Sequence, residues 1–578
     1  MGHSNMAAPV DVRLRDFFAW AGPIIGPDKA FIRLTLVYGI GIGLLSLATP
    51  ISVQMLINSV ANTALPAPLF TLAAILMGLL LISALLGAFR MHLMEMFRRR
   101  FFARLVADIT LRAVYAQNPF FQDERRGDLF NRFFELMTVQ KAIPSLLIGG
   151  FSIILQASVG FVVTAFYHPF FLAFNVGFIF VVWLIWRLWY RGAMRTAVAL
   201  SYRKYEAAHW LESVGGSNGY YKSSRHLHFA MDRSEEATAA YVEAHRSHFR
   251  YAFPQSISLL ILYAVASAGL LALGGWLVIQ GQLSIGQLVA AELILSSIFY
   301  GAAQLGPYLD SFYDLVAGAE ELSLLLSIPQ EQVPELKPGA SRPAHGALVL
   351  HSVRAPIGRD EAEIDIVIPG GSRLMGAAEP DMDRVLATLL KRHIRPTSGI
   401  ITLGGTDITS LDMYQLRSDV IVLNRSTIVE SSIRDYLSLS RAEDDSATMM
   451  DVLQVVGLDA RIAALPDGMD TRLSSTGWPL ALVEIMQLKL ASALLAQPRI
   501  LVLSALYDMV PVEHLQAAFE MLKGKPVTIL YFSSRPHDIT LDGWLWLGRK
   551  EQRLVPDRES LDALRAGAGK EAGDALPR

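Results

Sequence analysis

The chain has 578 residues, 52% of them hydrophobic, with a formal net charge of -2 and no cysteine. That length allows at least two domains, and a mean hydropathy of +0.36 is high for a soluble protein, so part of the chain belongs in a membrane. The near-neutral charge gives no footing for nucleic acid, and the lack of cysteine excludes disulfides and thiolate metal sites.

In chain order, Met1 to Pro27 is too mixed in charge and polarity to read as a cleavable signal peptide. Within it, Val10 to Trp20 sets Phe17, Phe18 and Trp20 among charges and reads as an interfacial amphipathic helix. Six apolar stretches follow, near 31–57, 69–94, 143–167, 169–190, 253–280 and 286–310. Each is long enough to cross a hydrocarbon core of about 30 Å at about 1.5 Å per residue. The connections at 58–68, at Tyr167-His168 and at Gly281–Ile285 carry no Lys or Arg. The segments 90–141 and 191–250 are rich in them, with Arg90, Arg98, Arg99, Arg100 and Arg104 in the first and Arg191, Arg195, Arg203 and Lys204 in the second. Positive-inside logic places both long loops and both termini in the cytoplasm. The loops have the composition of helices that run on past the bilayer and turn near Asn118–Gly127 and Gly215–Lys222, where Gly, Pro and Asn cluster. Trp183, Trp186 and Trp189 share one face of span four and read as an interface anchor.

Ile328 to His345 is rich in Pro and polar residues and marks a linker. Beyond it the pattern turns to soluble α/β. Strand-like runs appear at Ala347–Leu350, Glu363–Ile368, Ser372–Met375, Gly399–Leu403, Val420–Leu423, Ile500–Leu503, Val527–Phe532 and Gly543–Leu547. Helical stretches at 383–393, 447–456, 482–496 and 512–523 lie between some of them. The expected layout is an N-terminal segment (1–30), an all-α six-span membrane domain (31–327), a linker (328–345), a soluble α/β domain (346–556) and a tail (557–578).

Several runs are similar to the ABC transporter nucleotide-binding domain: Gly370-Gly371-Ser372-Arg373-Leu374-Met375-Gly376, Pro396-Thr397-Ser398-Gly399, Leu411-Asp412-Met413-Tyr414-Gln415-Leu416-Arg417 and Leu465-Pro466-Asp467-Gly468. Six spans ahead of one such domain resemble a half-exporter, and Asn118 to Asp128 resembles the first coupling region of exporters of the type I secretion and bacteriocin class. The resemblance implies an ABC-type nucleotide-binding fold, a bacterial inner membrane, and pairing with a second half-exporter, identical or not.

Carried across residue by residue, the resemblance also implies a degenerate ATP site. A phosphate loop of the G-x-x-x-x-G-K-[S/T] type offers glycine amides, a lysine and a magnesium-binding hydroxyl. After Gly376 this chain has Glu379 and Asp381 for glycines, Met382 for the lysine and Asp383 for the hydroxyl, with no lysine to offset the acids. Ala481 falls in the signature position, Ser504 and Ala505 replace the Asp-Glu pair after Ile500–Leu503, Asn424 replaces the Q-loop Gln and Ser534 the switch His. Near 353–358 no aromatic residue is present to stack on adenine. No catalytic residue, metal site or cofactor is expected, and ATP with magnesium only if a partner rescues the site. Instead, Asp381 as N-cap and Asp383 in the first turn would put the chain's own anions at the start of the helix near Met382.

The expected function is a dimeric, ABC exporter-like transport subunit with a pseudo-ATPase soluble domain. The alternatives are a scaffold or regulator of another exporter or envelope complex, and an exporter driven by an ATPase-competent partner. An envelope adaptor or a separate ATPase would be further partners. Glu292, about two turns into span six, is the candidate transport residue, because ionisation is costly at that depth.

Overall fold

A computed structural model describes residues 11–63, 67–118, 124–331, 343–358, 360–440, 446–534 and 539–565. The chain divides into two compact units, one ending at Glu331 and one beginning at residue 332.

The first unit is all α. A short helix α1 (Leu14–Ile25) is followed by α2 (Lys29–Leu45), α3 (Ala48–Thr63), α4 (Ala67–Val114), α5 (Glu135–Ser145), α6 (Phe151–Ala165), α7 (Pro169–Gly216), α8 (Ser224–Ile279), α9 (Ile285–Ala303) and α10 (Leu305–Leu326). Six helical segments are long and apolar enough to cross a membrane. Helices α4, α7 and α8 have 48, 48 and 56 residues. At about 1.5 Å per residue each reaches more than twice the roughly 30 Å of a bilayer core, so their polar stretches continue the spans as helix. The second turn comes where Gly and Asn cluster: α7 ends at Gly216, a 3-10 turn covers Tyr220–Lys222, and α8 begins at Ser224. Residues 119–123 of the first turn, and residues 332–342 of the linker, lie outside the described residues.

Three membrane expectations need correction. Span one is not continuous: α2 stops at Leu45 and α3 starts at Ala48. Pro50, in the first turn of α3, has no N–H to donate back to Ser46, and the Ser46 hydroxyl bonds the Gly43 carbonyl instead. Span six breaks likewise at Gln304, three residues before Pro307. The interfacial helix begins at Leu14 rather than Val10, because the Asp16 carboxylate accepts the Arg13 N–H at 2.9 Å and sets the helix start there.

Helix α1 buries Phe17, Ala21 and Ile24, with Phe17 edge-on to Phe312 of α10 at 5.5 Å, while Phe18 is exposed. Its end is fixed by Asp28, which is 1% exposed and pairs with Arg100 at 3.1 Å and Arg104 at 2.8 Å. Arg104 also donates to the Ile24 carbonyl at 2.6 Å. Further along, Arg132 pairs with buried Glu321 and stacks its guanidinium over Tyr202 and Tyr205. Lys204 and the Tyr205 hydroxyl both donate to Glu135, and Tyr202 donates to Glu320 at 2.7 Å. This ionic layer ties α5, α7 and α10 together around Leu136, Val139, Val316 and Leu322.

The second unit carries two sheets. A four-stranded antiparallel sheet has the order β2-β1-β4-β5, from β1 (Leu348–Ile357), β2 (Asp360–Ile368), β4 (Ser398–Leu403) and β5 (Thr406–Asp407). A six-stranded sheet has the order β10-β9-β3-β8-β7-β6, from β3 (Arg373–Ala378), β6 (Val420–Leu423), β7 (Ile500–Leu503), β8 (Thr528–Phe532), β9 (Gly543–Leu547) and β10 (Gln552–Val555). All its pairings are parallel except β9 with β10. Strand β8 is buried on both faces, as a central parallel strand requires. Alternation along β3 sends Leu374 to a core shared with α11 (Met382–Leu390) and the four-stranded sheet. It sends Met375 to a second core with α14 (Ser446–Val455), α16 (Leu482–Ala496) and α17 (Val512–Met521).

All eight expected strands and four expected helices of this unit are present. The short elements were not expected: β5, β10, α12 (Met413–Asp419), α13 (Ile433–Ser438) and α15 (Asp459–Ala463). Two of these helices do carry cap signals, since Asp412 accepts from Gln415 N–H and Ser432 from Asp435 N–H.

Replacing Asp28 by Ala takes one of two acids from the mostly buried Arg104 and the acceptor from the more exposed Arg100. It is expected to destabilise the membrane unit by about 1–3 kcal/mol, read as a lower thermal midpoint of the full chain in detergent; an unchanged midpoint would show that the pairing holds nothing.

Candidate functional site

Parallel register brings most of the sequence-identified positions to one edge. Gly376 lies beside Phe532, Leu503 beside Tyr531 and Leu423 beside Leu503. The segments leaving β3, β8, β7 and β6 therefore start side by side, and they hold Glu379, Ser534, Ser504, Ala505 and Asn424. The carboxyl edge of an open α/β sheet is where such folds take ligands. Neighbouring exits are bonded to each other: Ser533 N–H donates to the Gly376 carbonyl at 3.2 Å and Ser504 N–H to the Leu423 carbonyl at 3.1 Å. Ala481 is not brought to this edge by register, since it precedes α16, whose 15 residues separate it from β7.

The link from β3 to α11 consists of Glu379, Pro380 and Asp381 alone. Glu379 N–H donates to the Leu547 carbonyl at 3.0 Å and Met382 N–H to the Glu379 carbonyl at 3.1 Å, while Pro380 has none. An anion cradle needs several inward amides, and here three of four consecutive positions have none to offer. Gly376 sits inside β3, where an added Cβ would lie 2.6 Å from the Phe532 ring, so it serves packing. Met382, in the lysine position, is fully buried among Val385, Leu386, Leu530 and Phe532.

The acids behave differently from expectation. Asp381 occupies the N-cap position but with φ 68°, and its side chain makes no capping bond. An N-cap normally needs extended backbone to aim its oxygen at the first turn; here only the Asp381 carbonyl reaches in, to Val385 N–H at 2.9 Å. Asp383 is half-buried in the first turn. Glu379 is not left without an offsetting cation, because Arg549 approaches its carboxylate at 3.6 Å and Asp360 at 3.7 Å. Arg549 follows β9, 170 positions from Glu379, and no local signal in the sequence connects them.

Sequence reasoning also missed Asp508, in the 3-10 turn (Ala505–Met509) after β7. Its carboxylate accepts from the Tyr531 hydroxyl at 2.6 Å, from Ser534 N–H at 3.0 Å and from the Ser534 hydroxyl at 2.8 Å. The turns after β7 and β8 are thereby locked together at the switch position. Burial alone pushes this carboxyl up, yet the hydrogen bonds from Tyr531, Ser534 and Ser533 outweigh it and hold Asp508 below the usual aspartate range. Asn424 is exposed, and the segment after it is fixed by Lys489, which donates to the Arg425 and Thr427 carbonyls at 2.6 and 2.9 Å. In the signature position, Glu484 accepts from Ala481 N–H at 2.8 Å and from Arg461 at 3.1 Å, so the start of α16 is satisfied by its own chain. In the membrane unit, Glu292 lies half-buried in α9 and accepts from Ser296 at 2.7 Å, while its other oxygen has no partner among the described residues.

Six apolar helical segments followed by this soluble α/β unit make up the fold of an ABC exporter, and the chain is an integral membrane protein. Residues 32–212 match the family described as ABC transporter transmembrane region, and they are such a region. The chain is 22% identical over 516 residues to the cyclolysin secretion/processing ATP-binding protein CyaB of Bordetella pertussis, covering 86% of this chain and 70% of that protein. It is 22% identical over 505 residues to the leukotoxin translocation ATP-binding protein LktB of Mannheimia haemolytica, covering 84% and 69%. Among solved structures, a bacterial Atm1-family ABC exporter with ATP bound superposes with a TM-score of 0.75 at 17% identity, over 97% of this chain and 99% of that one.

Asp508→Asn is expected to cost about 1.5–3 kcal/mol at neutral pH, the range for hydrogen bonds to a charged group. Because the folded carboxyl lies below its unfolded value of about 3.9, this contribution is present above that pH and is lost as pH falls through the folded value. Thermal unfolding of the full chain between pH 3 and 7 should therefore show wild type and variant converging on the acid side; a constant gap across the range would refute the assignment.

Proposed function

We propose that the chain is a membrane transport subunit of the ABC exporter type. It acts in a pair, and its soluble unit serves as a dimerisation and coupling module that does not hydrolyse ATP. The reading places it in a bacterial inner membrane with both termini and the soluble unit on the cytoplasmic side, in keeping with the one-sided Lys and Arg content of its loops.

A transporter role is supported by the transmembrane-region match and by homologues that are exporters or ATP-binding permeases. The single observation that carries the non-hydrolysing part is the closed β3–α11 link. It has three residues, the Glu379 amide is spent on Leu547, Pro380 has none, and the lysine position is a core methionine. A triphosphate arriving there meets Glu379 already paired with Arg549 and finds no lysine. In the exporter family each composite site joins the phosphate loop of one domain to the signature of the other. A chain altered at both positions impairs both sites of any pair it joins.

Calorimetry on the full chain in lipid nanodiscs tests this. No ATP binding in the millimolar range and no hydrolysis above background are expected; micromolar binding overturns the reading. Met382→Lys should not restore binding and should lower the thermal midpoint, because it buries an ammonium in an apolar core. Recovery of ATP binding in that variant would show that the link can still open into a phosphate cradle.

A further inference from the structure

Arg90 lies within the second span, in α4. Three helices agree on its depth. It is eight residues inside Arg98 on its own helix, it lies over Gly39 (six residues inside Arg33 on α2), and it bonds Ser152, which follows Lys141 by eleven positions. At about 1.5 Å per residue these spacings put the guanidinium about 9–17 Å in from the arginine-rich end of the spans, inside the hydrocarbon.

A charge at that depth is costly and calls for a partner. Arg90 has one: its Nη1 donates to the Ser152 hydroxyl at 2.6 Å. Its Nε is buried without an acceptor, and among the described residues no carboxylate forms an ion pair with it. The nearest acid on its own helix, Glu95, is taken by Arg99 at 3.0 Å. A guanidinium offers five donors in a planar fork, and most of this one is unspent.

Ser152 and Gln156 lie one turn apart on the same face of α6, about 6 Å along the axis. Gln156 donates to Ser297 of α9 at 3.0 Å. Both line a cavity of about 190 Å³ opened by the break between α2 and α3, which also exposes Ser46 and Thr49 to it, closed on the apolar side by Leu293 and Ile298. A cation and a cavity rich in neutral hydrogen-bonding groups are thus joined by one polar helix face. Gly39 of α2 lets that helix pack closely on α6 beside this face: an added Cβ there would come within 3.0 Å of Leu155.

We propose that Arg90, Ser152, Gln156 and Ser297 form an intramembrane recognition site for an anionic amphiphile. Arg90 receives a phosphate or carboxylate, the cavity takes the adjoining uncharged polar atoms, and the acyl part remains in the surrounding hydrocarbon. A fork of guanidinium N–H groups matches two oxygens of such an anion. That the amphiphile is cargo, and not a resident lipid, rests on the transporter reading above.

The test uses the full chain, native mass spectrometry, and phosphatidylglycerol, phosphatidylcholine and inorganic phosphate as probes. Wild type should prefer phosphatidylglycerol over phosphatidylcholine. Arg90→Gln should weaken phosphatidylglycerol by about tenfold or more, the scale of a lost charge-assisted pair, with phosphatidylcholine unchanged. Arg90→Lys should fall between the two, and Gln156→Leu should weaken phosphatidylglycerol by a few fold while keeping the preference. Arg99→Gln, at the exposed end of the same helix, should behave as wild type. Equal phosphatidylglycerol binding by Arg90→Gln and wild type overturns the site, as does inorganic phosphate binding as tightly as the lipid. Should Arg90→Gln not fold, Ser152→Ala keeps the charge and removes the hydroxyl that anchors it, and an unaltered lipid preference in both that variant and Arg90→Lys overturns the proposal. In proteoliposomes, binding without movement of phosphatidylglycerol across the bilayer would leave the site standing as a resident-lipid site and remove the cargo assignment.

Discussion

In a bilayer no water is available to satisfy backbone N–H and C=O groups, so each spanning segment must satisfy its own. The membrane unit follows from that constraint. Its spans are helices; near Pro50 and Pro307 the chain breaks locally beside polar side chains, whereas α8 runs on through Pro254. Past the hydrocarbon the constraint lifts, yet α4, α7 and α8 continue as helix, and charge pairs begin to hold them. Buried Asp28 binds Arg104 and the more exposed Arg100, and Arg132 binds Glu321 in a place sealed from solvent. Buried pairs of this kind contribute little net stability against an apolar replacement, but losing one partner is severe, so they fix which helices meet.

The soluble unit follows a different constraint, parallel strand register. Once β3, β8, β7 and β6 pair in step, their exits must share an edge. Whether that edge holds a nucleotide then depends on where its donors are spent. Here they are spent inward: Glu379 and Met382 amides close a tight link, Asp508 takes the Ser534 amide, and Lys489 takes carbonyls after Asn424. The architecture of a ligand edge persists while its hydrogen-bonding capacity is directed to the chain itself. The two units therefore differ in what remains unspent. The soluble edge is internally satisfied, whereas the membrane unit holds a guanidinium that is not.

The spans, the long cytoplasm-type loops, eight strands and the four longer helices of the soluble unit were legible because each rests on composition or a period of 2 or 3.6 residues. The elements missed are those of two to seven residues, too short for a period, such as β5 and α13. Helix breaks were missed for a related reason. A hydropathy window averages over Pro50 and Pro307, and neither residue reduces the apolarity of its stretch.

Sequence alone determined the class of architecture and picked out the positions compared with an ATP site, because both depend on residue type in order along the chain. Tertiary structure decided what those residues do. It turned Asp381 out of its capping role by a left-handed backbone, gave Glu379 a cation from β9, buried Met382, and set Arg90 against Ser152 with no acid beside it. Each of these outcomes depends on a backbone angle or on a contact between positions far apart in the chain, and electrostatic and packing energies depend on distance in space, which one-dimensional spacing does not encode.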